Sequence, residues 1–348
     1  MKKISGILVV LVFLISLATP ALAVDRPALF RSEFSLDPDE EIAQLPITSA
    51  IVNIRNIASG DSVYSTVVII AKVTGVFSSV VYQIDGGPQY RMNRVGTTNR
   101  YQASWDTTTV SAGTHTLYVK AKNRMGSVVG SASVSITVVT SYKWEANYEI
   151  DYVAGHIPSQ SVLDYWQYYW RGHAIDVTFL VDDAVSDPTP DDGYISRSDF
   201  WSIESAYNDV WKYDDRSNGG ANPKYFLKEK WMLYGTWDTN PNVGGYTYVS
   251  VSGSNLQAGN YIFIADSMID DWEAQNSIPN DGGEVIVTMH EAGHSIGIAK
   301  LLLGLERYDS DSYSIMSTMR IENAKYMTGY WYYSKEYWAT ANKNYYTI

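Results

Sequence analysis

The sequence predicts an α+β domain, built on a mixed sheet and one histidine-bearing helix, preceded by an all-β sandwich. Three observations carry that expectation. Between Ile47 and Val139 the chain is cut into short runs rich in Val, Ile, Thr and Tyr, separated by turn residues. From Ser141 onward, strand-like and helix-like segments alternate. Near the end, an apolar helical stretch holds His290-Glu291-Ala292-Gly293-His294, with two of only five histidines in 348 residues. The expected division is a signal segment (1–23), a linker or short pro-segment (24–46), the sandwich (47–140) and the second domain (141–348).

Lys2 and Lys3, an apolar run from Ile7 to Leu17 and the small-x-small triplet Ala21-Leu22-Ala23 read as a secretory signal with its cleavage site. The run falls short of the roughly 20 residues a span needs, so cleavage is favoured over retention as a membrane anchor. No other stretch is apolar enough to cross a bilayer, and the mature chain is expected to be secreted or held at the cell surface. Losing the two lysines takes the formal charge from −12 to −14, which repels nucleic acid and anionic lipid. Cysteine is absent, which excludes a disulfide framework and a cysteine-based latency switch, so stability must come from core burial. Between residues 24 and 46 there is no sustained hydrophobic period, and Leu36-Asp37-Pro38-Asp39-Glu40-Glu41 is acidic and broken by proline.

Strands are expected at Val67–Val73, Val80–Ile84, Tyr101–Trp105, His115–Lys122 and Ser131–Val138, with turns at Asp85-Gly86-Gly87-Pro88 and Ser111-Ala112-Gly113. Asp85-Gly86-Gly87, Trp105-Asp106-Thr107-Thr108 and the run Gly113–Val119 resemble the immunoglobulin-like modules of secreted prokaryotic proteins. That resemblance implies a spacer or an adhesive arm with a surface partner, and His115 reads as an ordinary strand residue. The division at 140 implies that the remainder folds without it.

In the second domain, Ala174–Val181, Lys230–Thr236 and Tyr261–Ala265 read as strands and Ser196–Trp211 as a helix. The acidic run from Asp182-Asp183 to Asp191-Asp192 offers clustered oxygen ligands of the kind calcium takes, without EF-hand spacing. Tyr326–Tyr346 is dense in Tyr and Trp; packing of a C-terminal helix is favoured over an aromatic substrate cleft. His156 and His173 read as structural.

The chemistry lies in the helix. Four helical steps bring side chains back to within about 40° of one another, so His290 and His294 share a face and can grip one zinc ion. Glu291 points to the flank, where it can accept a proton from water on that zinc. Asp281-Gly282-Gly283-Glu284 offers a capping-box start, and Val285, Ile286, Val287 and Met289 supply an apolar body. Gly297 can take a left-handed conformation and end the helix.

These residues resemble the metzincin clan of zinc endopeptidases, whose pattern is HExxHxxGxxH or HExxHxxGxxD followed by a methionine-bearing turn beneath the metal. The match runs through Gly297, and Ser314-Ile315-Met316-Ser317 is similar to that turn, with Met316 as its methionine. The family's third ligand position falls on Lys300, and a protonated ammonium has no lone pair for zinc. Zinc in a catalytic site takes three protein ligands and one open position. The replacement must come from the following loop: Asp309 first, since the clan's carboxylate ligands here are aspartates, then Glu306, then Asp311. On a continued helix Glu306 would lie about 18 Å beyond His294, so the chain must turn at Gly297 or Gly304.

The resemblance implies a secreted zinc endopeptidase acting on protein or peptide substrates. Lys300 keeps open a binding or adhesion protein on a degenerate protease scaffold, and a zinc hydrolase of non-peptide substrates is the other rival.

Overall fold

The computed structural model describes residues 49–189, 193–208, 229–238, 244–249, 251–252, 255–256, 259–278, 281–299, 301–302, 305–306, 309–311, 313–317 and 331–341. The signal segment and the linker lie outside the described residues.

The first nine strands are β1 (Ala50–Ile54), β2 (Ser62–Val63), β3 (Thr66–Gly75), β4 (Ser79–Ile84), β5 (Gln89–Arg91), β6 (Asn93–Arg94), β7 (Arg100–Asp106), β8 (Gly113–Lys122) and β9 (Val128–Val138). They form one sheet in the order β1-β3-β7-β6 and another in the order β2-β9-β8-β4-β5. Ile69, Ala71 and Val73 of β3 share a core with Val80 of β4 and with Leu117, Val119 and Ala121 of β8, so the two sheets face each other. The five runs of alternating residues fall on β3, β4, β7, β8 and β9. The other four strands lack that signal: Ile51 of β1 is 72% exposed, all of β5 is exposed, and β2 and β6 are two residues long.

The second unit is built on a sheet ordered β11-β10-β13-β18-β15. Its strands are β10 (Trp144–Val153), β11 (Ile175–Val185), β13 (Glu229–Gly235), β15 (Gly245–Tyr248) and β18 (Tyr261–Ala265). Four run parallel, and β15 lies antiparallel on the β18 edge. The short pairs β12 (Tyr194–Ile195) with β14 (Trp237–Asp238), β16 (Val251–Ser252) with β17 (Asn255–Leu256), and β19 (Leu301–Leu302) with β20 (Leu305–Glu306) decorate it. The helices are α1 (Gln160–Gly172), α2 (Arg197–Tyr207), α3 (Asp266–Asn276), α4 (Gly282–Ser295) and the short α5 (Lys335–Trp338). Tyr148, Ile150, Met232, Tyr234, Ile262 and Ile264 line one face of the sheet in a core with residues of α1 and α4. Trp231, Leu233 and Phe263 line the other with Phe200 and Ile203 of α2. This alternation is the period-2 consequence of a sheet covered on both sides. Among the described residues no helix is long and apolar enough to cross a membrane.

The sheets divide near residue 140, but the cores do not. Strand β3 is a continuous apolar run because both of its faces are covered. Val67, Ile69 and Ala71 face the sandwich interior, while Val68 and Ile70 join the core that contains Trp166 and Trp170 of α1. The backbones meet at Gly172, where an added Cβ would stand 2.7 Å from the Thr66 carbonyl oxygen. The amide of Tyr64 donates to Gly172 O at 3.2 Å, and that of Lys335 to Arg55 O at 2.7 Å. The described part of the aromatic C-terminal stretch is also core: Trp331, Tyr332, Tyr333, Tyr337 and Trp338 are each at most 4% exposed.

Candidate metal centre

Helix α4 is buried along its whole length, which explains its apolar body. Its entry differs from the expected capping box. Asp281 sits at φ 53° and makes no side-chain cap bond. Instead it accepts hydrogen bonds from the Ser159 and Ser161 hydroxyls, both at 2.6 Å. The free amides of Gly283 and Glu284 are capped by Glu273 Oε1 of α3, at 2.5 and 3.0 Å. A carboxylate from another helix thus does what the local motif was expected to do.

Glu284 is left buried, accepting from the Ser159 amide at 3.0 Å. Burial, reinforced by Asp266, Asp281 and Glu273, pushes its carboxyl up from 4.5 to about 8. A group with a raised folded pKa stabilises the fold fully below its unfolded pKa and loses that contribution as pH rises through the folded value. The thermal midpoint is therefore expected to fall as pH climbs from about 5 to about 8, and Glu284→Gln is expected to flatten that slope. Identical slopes for the two proteins would remove Glu284 as the cause.

The helix ends as Gly297 suggested. Gly297 takes φ +82°, its amide reaches His294 O at 2.9 Å, and the amide of Ile298 returns to Gly293 O at 2.8 Å. This turn brings the Ile298 carbonyl back to accept from His294 Nδ1 at 2.9 Å. Ile315, inside the expected methionine turn, presents its carbonyl to His290 Nδ1 at 3.1 Å. Both imidazoles are fully buried, and their Nε2 atoms lie 3.0 Å apart. A carbonyl can only accept, so each Nδ1 carries the proton and each Nε2 of a neutral ring carries a lone pair. Two acceptors this close can share a proton or a metal ion. Tetrahedral zinc with Zn–N bonds of about 2.0–2.1 Å sets its nitrogens roughly 3.3 Å apart, so the donor pair suits that ion.

Glu291 is fully buried beside them. Thr247 of the edge strand β15 places its hydroxyl 2.9 Å from both Glu291 O and Glu291 Oε2, tying the carboxylate to the sheet. No sequence pattern pointed to Thr247, which is 44 residues away along the chain. Met316 is fully buried, and its carbonyl accepts from the Asp309 amide at 2.8 Å.

The third-ligand candidates separate. Asp311 is committed elsewhere: Arg55 Nε donates to Oδ2 at 2.8 Å, the Tyr332 hydroxyl donates to the same oxygen at 2.6 Å, and Arg100 Nη2 pairs with Oδ1. Asp309 Oδ1 takes the Asp311 amide at 2.9 Å, the bond of an Asx turn, while Oδ2 is buried with no hydrogen-bond partner. Asp309 does not reach the histidines: no Asp, Glu or His among the described residues brings a third ligand atom within 4.8 Å of both. The turn required beyond His294 is a hairpin in which Glu306 pairs with Leu301, and the Glu306 side chain and Lys300 lie outside the described residues.

The remaining candidates lie apart from this centre. His156 Nδ1 pairs with Asp266 Oδ2 at 3.0 Å, and the buried His173 packs against the Trp338 ring. His115, on the central strand β8, bonds Asp85 and the Ser111 carbonyl within the sandwich. Asp182, from the acidic run, joins Glu149 and Asp151 of β10, with ligand oxygens within 4.8 Å of one another, a triad that could hold a metal ion. Residues 190–192 of that run lie outside the described residues.

No protein-family model matches the chain, and no curated protein matches it. Solved structures that resemble it include metalloproteinase-II of Bacteroides fragilis, with 11% identity over 85% of this chain and 87% of that one, at a TM-score of 0.36. The fibronectin(III)-like modules of Clostridium thermocellum CbhA match 25% of this chain and 94% of theirs, with 23% identity and a TM-score of 0.21. The endo-β-1,4-mannanase of Thermotoga petrophila matches 26% of this chain with 19% identity and a TM-score of 0.24, and only 20% of the mannanase is covered.

Proposed function

We propose that this chain is an exported zinc-dependent endopeptidase, with His290 and His294 as two of its ligands and Glu291 as general base. The observation that carries the reading is the buried pair of Nε2 atoms 3.0 Å apart, each ring held in the ligand tautomer by a backbone carbonyl. Zinc bound there would supply Lewis acidity, polarising a peptide carbonyl and acidifying water. Glu291, anchored through Thr247, is the group placed to take a proton and return it to the leaving amine. A polypeptide is the proposed substrate. A surface partner of the sandwich would meet the five-stranded sheet, because β3 of the other sheet is covered by α1.

Metal analysis of the purified protein, with casein cleavage, tests the reading. About one zinc per chain and hydrolysis abolished by a chelator are expected. Zinc without cleavage would favour the degenerate binding scaffold or a non-peptide substrate. Glu306→Ala and Asp309→Ala then locate the third ligand: loss of zinc affinity well beyond about 10- to 100-fold marks a ligand, and a smaller loss an outer group.

A further inference from the structure

We infer that Arg55 and Arg100 of the N-terminal sandwich position the His290 imidazole, acting through Asp311 and the turn at Ser314–Ser317. The inference rests on reading His290 as a metal ligand. Both arginines stand level with the middle of β3, on either side of it. Arg55 follows β1, its amide bonded to Ile70 O at 2.8 Å, and Arg100 opens β7 opposite Lys72 of β3. From there they converge on one carboxylate, Asp311, which is 5% exposed. Arg100 is itself buried, lies 3.7 Å from the centroid of the Tyr313 ring and donates from Nε to the Tyr332 hydroxyl at 3.0 Å. The Tyr332 hydroxyl in turn donates to Asp311 Oδ2 at 2.6 Å. The Asp311 carboxylate is therefore held by three side-chain donors, two of which come from the sandwich, and by the Tyr313 amide at 3.4 Å.

The turn hangs from this point. Asp311 O accepts from the Ser314 amide at 2.8 Å, and the Asp311 amide closes on Asp309 Oδ1 at 2.9 Å. The Asp309 amide reaches Met316 O at 2.8 Å, and the Ile315 amide reaches Tyr332 O at 2.9 Å. These bonds flank the Ile315–Met316 peptide, whose amide donates to Ser314 Oγ at 3.3 Å and whose carbonyl is the acceptor for His290 Nδ1 at 3.1 Å. A carbonyl in that place selects the tautomer and aims the Nε2 lone pair. Without the guanidinium pair, Asp311 becomes a buried carboxylate bound only by the Tyr332 phenol and the long Tyr313 amide bond, with no positive partner, and the turn must move to hydrate it. The Ile315 carbonyl moves with it. Arg55 and Arg100 are thus positioning residues, which gives the sandwich a part in the metal centre beyond that of a spacer.

Full-length Arg100→Gln and the milder Arg55→Gln, whose side chain is partly exposed, test this against Lys72→Gln, on the same face without a bond to Asp311. Two readouts are used on each folded protein. The first is the nitrogen chemical shifts of the His290 ring in metal-free protein, which report its tautomer. The second is Zn2+ affinity by chelator competition, with the visible spectrum of the Co2+ form. Expected are a fixed Nδ1–H tautomer in wild type and Lys72→Gln, and a mixed one in the arginine variants. Their Zn2+ affinity should fall about 10- to 100-fold, with a shifted Co2+ spectrum. Should Arg100→Gln fail to fold, Arg55→Gln decides by the same readouts. A wild-type tautomer and wild-type affinity in the folded arginine variants overturn the inference. If wild-type protein takes up no zinc while the arginine variants show the tautomer change, the zinc reading is overturned and the positioning stands.

Discussion

Glu291→Gln is expected to lower peptide hydrolysis by about a hundredfold to ten-thousandfold, the usual worth of a positioned general base, while about one zinc per chain stays bound. The amide is nearly isosteric, so the buried space beside Thr247 is still filled. Thr247 can still donate to the amide oxygen, so the helix loses no contact that holds the histidines. What disappears is proton acceptance alone. Zinc counted by elemental analysis and hydrolysis measured on the same preparation give the answer together. Cleavage at the wild-type rate would sink the assignment of Glu291, and loss of zinc would make it a ligand instead of a base.

A chain beginning at Ser141 is expected to aggregate or to melt without a cooperative transition, although the sheets divide there. Truncation uncovers the face of α1 that packs with Val68 and Ile70. It also strips Asp311 of both guanidinium partners. Breaking a buried pair by removing one side costs about 3–5 kcal/mol, against a total stability of about 5–15 kcal/mol for a typical domain. The lost apolar contact with β3 adds to that. Circular dichroism during a thermal scan, with size-exclusion chromatography, reads the outcome. A monomeric fragment with a cooperative melt and bound zinc would overturn the view of a shared core. Asp311→Asn in the fragment should recover part of the stability, because a neutral amide costs less to leave unpaired.

How far the structure could be read from the sequence followed the distance over which each interaction acts. His290, Glu291, His294 and Gly297 form one local pattern, and the helix, its end and the facing imidazoles were all legible within eight residues. The five alternating strands of the sandwich were legible for the same reason. The start of α4 was misread because its cap comes from Glu273 on another helix, and a local capping box cannot reveal a partner supplied by tertiary packing. Strands β10 and β15 and helices α1 and α3 were not read, although Trp144, Ala146, Tyr148 and Ile150 alternate along β10 and Val162, Leu163, Trp166, Tyr169 and Trp170 recur at helical spacing along α1. The double burial of β3 had a trace in the sequence: Val67–Ala71 is apolar at every position, where a strand with one wet face would alternate. Asp311 could not be told from Asp309 along the chain, since its partners sit 211 and 256 residues away.

That last separation governs when the centre can form. A contact between Arg55 and Asp311 closes a loop of 256 residues, and pairings of such span come late, after local helices and hairpins have formed. Helix α4 and its two histidines can assemble early, yet the carbonyl that orients His290 takes its place only when the chain's opening strands dock against its last third. A nascent chain emerging in order from its amino terminus would carry its histidines, but without a completed centre, until residues as late as Tyr332 had been delivered. If the chain cuts polypeptides as proposed, this order of assembly would withhold that activity until Tyr332 and the sandwich had met around Asp311.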